Sequence, residues 1–252
     1  MCSLIILFRP DHDWPLLLAA NRDELASRPW KPPGRHWPDR PETLAGIDLL
    51  SGGSWMGMND HGLVACILNR VGSLGPAPGK RSRGELVLEA LDHADADAAA
   101  DALAALETSS YRSFNLVLAD ESAVWWLSSE GGAGERVAVR PVEAGLSMIT
   151  AHDLNDATSA RIGRFLPAFR EAAVPDPERG DWQAWEALQA IADPEDPFAG
   201  LCVVTGGDFG TVSASQLALP RRPRRLDEVP RRPIWRFAEG PPGVYPFHTL
   251  SL

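Results

Sequence analysis

The sequence predicts an α+β fold, a four-layer sandwich of two sheets with helices over each outer face, and two observations lead there. Short apolar runs bounded by Gly, Pro, Asn and Asp come in groups, and each of the first two groups of four gives way to a pair of helix-forming segments. The order is four strands, two helices, four strands, two helices and closing strands. No internal repeat accompanies it.

The first group is expected at Ser3 to Phe8, Leu16 to Asn21, Ser54 to Asn59 and Leu63 to Asn69, with NDHG at 59–62 as a hairpin turn between the last two. Between the second and third lies SRPWKPPGRHWPDRP, 27–41, whose prolines argue for a long loop. A helix is expected from about Arg83, where Ser82 and Glu85 have capping-box spacing. A second covers the alanine-rich DADAAADALAALE at 95–107. Strands return at Phe114 to Ala119, Ala123 to Ser128, Val137 to Val142 and Leu146 to Thr150. Asp156 and Asp181 are candidate caps for two further helices, with Pro167 expected to kink the first or begin a new segment. Leu201 to Thr205, Ser213 to Leu219 and Ile234 to Phe237 close the chain as strands.

Length and charge narrow the functional classes. At 252 residues and 44% hydrophobic, the chain has enough apolar material for a single domain over 1–252. With 24 basic against 34 acidic residues, its net charge of −10 argues against a non-specific nucleic-acid binder or a protein drawn to anionic membranes. The expected partner is a small-molecule substrate or ligand. Three scattered cysteines, Cys2, Cys66 and Cys202, do not make a disulfide framework. Leu4 to Phe8 is too short for a signal-peptide core, and no apolar run is long enough to span a bilayer, so a cytoplasmic location is expected. No metal site and no cofactor are expected: His36, His61 and His152 fall in no HxH or HExxH spacing. The seven arginines in PRRPRRLDEVPRRPIWR, 220–236, read as a solvated connection among prolines and acids.

Cys2 is the sharpest chemical candidate. Removal of Met1 would give it a free α-amine beside its thiol, and that amine, with a pKa of about 7.7 to 8.0, could take the thiol proton. Nucleophile and base would share one residue. The stretch LLLAANRDE, 16–24, supplies partners: a second strand antiparallel to the first would carry Asn21, Arg22, Asp23 and Glu24 to the Cys2 end. Arg22 suits a thiolate or a substrate carboxylate, Asp23 or Glu24 an α-ammonium, and Asn21 an oxyanion. The plain alternative is a salt-bridged corner.

MC, LAANRDE, SRP, GGSWMGMNDHG at 52–62, LNR at 68–70 and RSRGELV at 81–87 resemble the NRDE family, also called the transport and Golgi organization family. FNLVLAD at 114–120 and FGTVSASQLAL at 209–219 continue the resemblance more loosely. That family is similar in fold to N-terminal nucleophile (Ntn) hydrolases, especially the cysteine branch of bile salt hydrolases, penicillin V acylases and acid ceramidase-like amidases. The resemblance implies the αββα sandwich and catalytic roles for Cys2, Arg22, Asp23 and Asn69. Asn21, Glu24, Trp55, His152 and Asn155 are the substrate-binding candidates. Arg22 and Asp23 are adjacent here, whereas the amidases separate the corresponding pair by two residues. SMITAHDLND stands where an oxyanion asparagine is expected, and Val212 where a late arginine is expected.

Two functions follow. One is hydrolysis of a non-peptide amide or related acyl bond. The other, also implied by the resemblance, is a non-catalytic carrier of haem or an acyl lipid.

Overall fold

The computed structural model describes residues 2–223, 225 and 228–251. The chain forms two compact units, Arg28–Glu143 and Cys2–Ser27 with Ala144–Leu252. Each contains one antiparallel sheet and one pair of α-helices, so the fold class is α+β.

In the unit that holds Cys2, strands β1 (Ser3–Phe8) and β2 (Leu16–Leu25) form the centre of the sheet. Their apolar runs are buried throughout β1 and over the first eight residues of β2. They pair antiparallel, with Ser3 opposite Asn21. The second strand runs four residues beyond the expected Asn21, which places Arg22 to Leu25 inside the sheet. What extends it is a partner as long as itself, Phe209–Leu219, paired from Phe209 opposite Leu25 to Leu219 opposite Leu16.

The unit that lacks Cys2 departs most from expectation in its first strands. Residues 27–41 are not all loop, because β3 (Trp30–Gly34) runs through both prolines. It is tolerated as an edge strand, paired only with β4 (Thr43–Asp48), and the register shifts across Pro32 and Pro33. The sheet continues through β5 (Met56–Asn59), β6 (Val64–Asn69), β7 (Phe114–Ala119), β8 (Val124–Ser129) and β9 (Ala138–Pro141), each paired to the next. Helices α1 (Gly84–Leu91) and α2 (Ala96–Ala104) bury Leu86, Val87, Ala99 and Leu103 against Leu116, Leu118 and Leu127. The capping box at Ser82 does not form. Arg83 occupies the cap position without a side-chain bond, the Ser82 hydroxyl accepts from the Gly84 N–H, and Glu85 pairs instead with Arg81.

In the Cys2 unit, β10 (Gly145–Ile149) flanks β1, and β11 (Phe209–Leu219), β12 (Ile234–Ala238) and β13 (His248–Thr249) follow β2 across the sheet. Helix α3 (Ala160–Glu171) starts at Ser159, whose hydroxyl accepts from the Ile162 N–H, rather than at Asp156. Pro167 begins no new segment. The helix continues through it because Ile162, Phe165, Leu166 and Phe169 are all buried, which offsets the lost hydrogen bond. Helix α4 (Gln183–Gln189) begins after Trp182, and Asp181 accepts from the Gln183 N–H only at 3.3 Å. The expected strand at Leu201 to Thr205 is absent. Leu201, Cys202 and Val203 are buried, but Val203 N–H donates to the Thr211 hydroxyl and Cys202 N–H to Ile191 O, leaving only an isolated bridge at Val204.

Candidate active site

Alternation along the first two strands decides which side chains meet. Ile5, Leu7, Leu17 and Ala19 pack with Ile162, Phe165 and Trp185 of α3 and α4, so odd-numbered positions face the helices. Ser3, Asn21 and Asp23 share that face. Cys2 and Arg22 are even-numbered and fall on the other, each one step beyond the Ser3–Asn21 pair.

Cys2 is a partly buried free thiol. Burial pushes its pKa above the ordinary thiol value and the Asp23 carboxylate adds to that, which outweighs the Asp23 backbone N–H and the Arg22 guanidinium drawing it down. Arg22 is 6% exposed and pairs across the sheet with Ser213, immediately after a bulge at Val212. The Ser213 hydroxyl is buried and has no hydrogen-bond partner among the described residues.

Asp23 is built into the helix side. Its Oδ2 accepts from Arg161 Nη1 at 2.8 Å and its Oδ1 from the Thr211 hydroxyl at 2.7 Å. The Asp23 and Arg161 side chains are 0% and 4% exposed. Arg161 is held in turn, its Nε donating to Phe198 O at 2.9 Å. Cys202 adjoins this cluster. Burial raises its pKa, against a hydrogen bond with Thr211.

Asn21 serves as a tie between strand, helix and loop. Its amide donates to Gln189 O and Leu201 O, both at 3.0 Å, and its oxygen accepts from Gln189 Nε2 at 3.0 Å. That side chain has its hydrogen bonds on the helix face, away from the Cys2 face. Glu24 accepts from the Leu25 N–H at the strand's exposed end. Asn155 is a turn residue at φ 59°, its Oδ1 accepting from Met148 N–H and its Nδ2 donating to the Ser147 hydroxyl. Half-buried His152 lies 3.7 Å from Asp156. Asn69 and Trp55 belong to the other unit, Asn69 at the end of β6 opposite Phe114 and Trp55 edge-on to Trp30 at 5.8 Å.

Sequence reasoning missed Arg161, Thr211 and Gln189. Arg161 had a signal: it stands four residues before Phe165, on the apolar stripe of its helix. Thr211 and Gln189 had none, because their partners are about 170 to 190 residues away. Among the described residues no group of three or more His, Cys, Asp or Glu could hold a metal ion, and no helix is long and apolar enough to cross a membrane.

Residues 1–174 match the family Transport and Golgi organisation 2. Homologs of transport and Golgi organization protein 2 from Bos taurus and Mus musculus are 34% and 31% identical over 165 and 163 residues, 58% of this chain in each case. The match spans 56% of the length of each relative. Among solved structures, an N-acylethanolamine-hydrolyzing acid amidase ortholog from Caenorhabditis elegans aligns with TM-score 0.55 at 14% identity, over 85% of this chain and 92% of its own. The C2A mutant of a conjugated bile acid hydrolase from Clostridium perfringens aligns with TM-score 0.55 at 11% identity, over 100% and 92%. A penicillin V acylase from Agrobacterium tumefaciens aligns with TM-score 0.51 at 14%, over 94% and 83%. These neighbours are Ntn hydrolases, and the likeness shows the fold.

Proposed function

From its place in the Transport and Golgi organisation 2 family, to which the chain belongs, and from the surroundings of Cys2, we propose that this protein is an N-terminal-cysteine hydrolase. Its substrate is a small molecule with a non-peptide amide or related acyl bond. The observation that carries the reading is the placement of Cys2, a partly buried free thiol, one step beyond the Ser3–Asn21 pair and so beside the buried Arg22 and Asp23 of β2. The Ntn-hydrolase fold of the solved neighbours, whose names describe amide and acyl hydrolysis, supports the same chemistry.

The reaction requires removal of Met1, which lies outside the described residues. The freed α-amine takes the thiol proton, and the sulfur attacks the acyl carbon to form the tetrahedral intermediate. The same proton passes to the leaving amine as the C–N bond breaks, leaving an acyl thioester on Cys2. Water then adds its hydroxyl to the acyl carbon and returns its proton to the sulfur, releasing the carboxylic acid. Arg22 offsets negative charge at the sulfur and on the intermediate.

Two measurements on untagged protein test this. Intact mass should show Met1 removed, and Cys2→Ala should abolish hydrolysis across a panel of N-acyl amides while the fold persists. Retained Met1, or full hydrolysis by Cys2→Ala, overturns the mechanism. Retained Met1 with binding but no turnover would leave the haem or acyl-lipid carrier as the reading for this fold.

A further inference from the structure

The sheet of the unit that lacks Cys2 carries polar side chains on the face turned away from its own helices. Phe114, Leu116 and Leu118 of β7 and Leu127 of β8 pack with α1 and α2, so alternation turns Asn115, Trp126 and Ser128 to the opposite face. Two arginines reach that face from either side. Arg70, one residue past β6, donates from Nη1 to Asn115 Oδ1 at 2.7 Å, and Arg140 of β9 donates from Nη1 to the Ser128 hydroxyl at 3.4 Å. Asn115 and Ser128 are a cross-strand pair, so the two guanidiniums flank a single step of the ladder.

Both forks are oriented by their neighbours. Asn115 is fully buried, and its Oδ1 accepts from Trp126 Nε1 at 3.1 Å as well as from Arg70, which ties the guanidinium to the indole. Arg140 stands opposite Trp126 in the register and lies over its ring at 4.8 Å. Their charge is poorly matched. Arg70 Nη2 pairs with Glu130 at 2.8 Å, but that carboxylate is 64% exposed at the end of its strand. Among the described residues Arg140 meets only the Trp126 ring and the Ser128 hydroxyl and no acid, in a chain whose 34 acidic residues outnumber its 24 basic ones. Packing accounts for the aromatic stack. It does not account for two forks aimed at one step of the ladder with one exposed carboxylate to serve them.

We propose that Arg70 and Arg140, oriented by Asn115 and Trp126, form a binding site for a small-molecule dianion, a phosphate monoester or a dicarboxylate. A planar guanidinium presents paired N–H donors that match two oxygens of a carboxylate or phosphate. Two guanidiniums balance a charge of about −2, which a phosphate monoester approaches at neutral pH and a single carboxylate does not. Glu130 occupies the Arg70 fork as an internal stand-in, and an incoming anion takes its place. That exchange returns an exposed side chain to water and gives up a surface ion pair worth about 1 kcal/mol or less. The inference concerns the unit that lacks Cys2 and does not depend on the reading of Cys2 as nucleophile.

The experiment is titration of the full chain, at neutral pH and fixed ionic strength, with glycerol phosphate, succinate and acetate, read by calorimetry and by tryptophan emission. One or both of the dianions should bind saturably, with acetate weaker by about tenfold or more, and the tighter of the two identifies the class of ligand. Arg140 is exposed, so Arg140→Met should fold as the parent does, and it should weaken dianion binding by about tenfold. Glu130→Gln should tighten binding severalfold, because the internal competitor is gone. Arg70→Met should weaken binding as Arg140→Met does, and should it fail to fold, the Arg140 and Glu130 variants decide the matter. No saturable binding of either dianion, binding unchanged in folded Arg140→Met, or acetate bound as tightly as the dianions overturns the proposal.

Discussion

Gln189 is the polar residue whose replacement should cost this fold most. It is fully buried, and its Nε2 donates to Asn21 Oδ1 at 3.0 Å, with longer bonds to Ala20 O and Ser215 O. Its Oε1 accepts from Gln216 Nε2 at 2.8 Å, and Gln216 Oε1 in turn accepts from Arg236 at 2.7 Å. Gln189→Leu keeps the approximate volume, so the cost is polar rather than a cavity. It strands Asn21 Oδ1 and Gln216 Nε2, each a buried atom worth about 1 to 3 kcal/mol when left unpaired, for a loss of about 4 kcal/mol. That is a large share of a typical stability of about 5 to 15 kcal/mol. Urea unfolding followed by far-UV circular dichroism reads it: with a slope of about 2 to 3 kcal/mol per molar, the midpoint should fall by about 1.5 M. Adding Gln216→Leu should cost less than the two single losses summed, by about 1 kcal/mol or more, because a pair removed together strands fewer atoms. A loss below about 1 kcal/mol for Gln189→Leu would refute the accounting, since it requires that both partners find other bonds.

Three further outcomes are expected. Burial raises the Cys202 thiol, so the unfolded chain releases that proton first, and the stabilisation present below about pH 8.5 is lost as pH rises through the higher folded value. Cys202→Ala should flatten that alkaline decline in urea titrations at pH 7 and pH 9. Asp120 has the opposite sign: burial pushes its carboxyl up, but hydrogen bonds from Ala96, Ser122 and Ala123 outweigh it and hold the pKa low. Its contribution is full above about pH 4 and lost as pH falls through the depressed value, and Asp120→Asn should cost about 1 to 3 kcal/mol at pH 7 with a shallower acid decline. In Gly46→Ala, the new methyl would sit 2.3 Å from the Trp55 ring, so Trp55 must leave its edge contact with Trp30. Unfolding should become easier by about 1 to 3 kcal/mol with a changed tryptophan fluorescence, and unaltered emission would show that the ring had not moved.

Much of the fold was legible because the signals are local. The apolar runs at Ser3–Phe8 and Phe114–Ala119 match the observed strands at both ends, and the Asp95 cap opens α2 within the alanine-rich segment. The strands that escaped, Trp30–Gly34 and Thr43–Asp48, lie where prolines and short runs mask the pattern. The first exists because an edge strand can leave its proline nitrogens outside the ladder. The expected strand at Leu201–Thr205 shows the converse, since an apolar run reports burial and not the partner that accepts its hydrogen bonds.

The candidate site divides along the same line. By itself the sequence determined that a thiol at position 2 and the tetrapeptide Asn21 to Glu24 would stand near each other, if two adjacent apolar runs paired as neighbours usually do. Only the tertiary structure decided which of those side chains faces which way. Alternation turns Arg22 toward the Cys2 face and commits Asn21 and Asp23 to the helices, and the identity of their partners, Gln189 and Arg161, depends on contacts that span 168 and 138 residues. Strand pairing is encoded in local pattern. A buried polar partner is chosen by whichever distant donor the packed chain brings within about 3 Å, and no short stretch of sequence carries that choice.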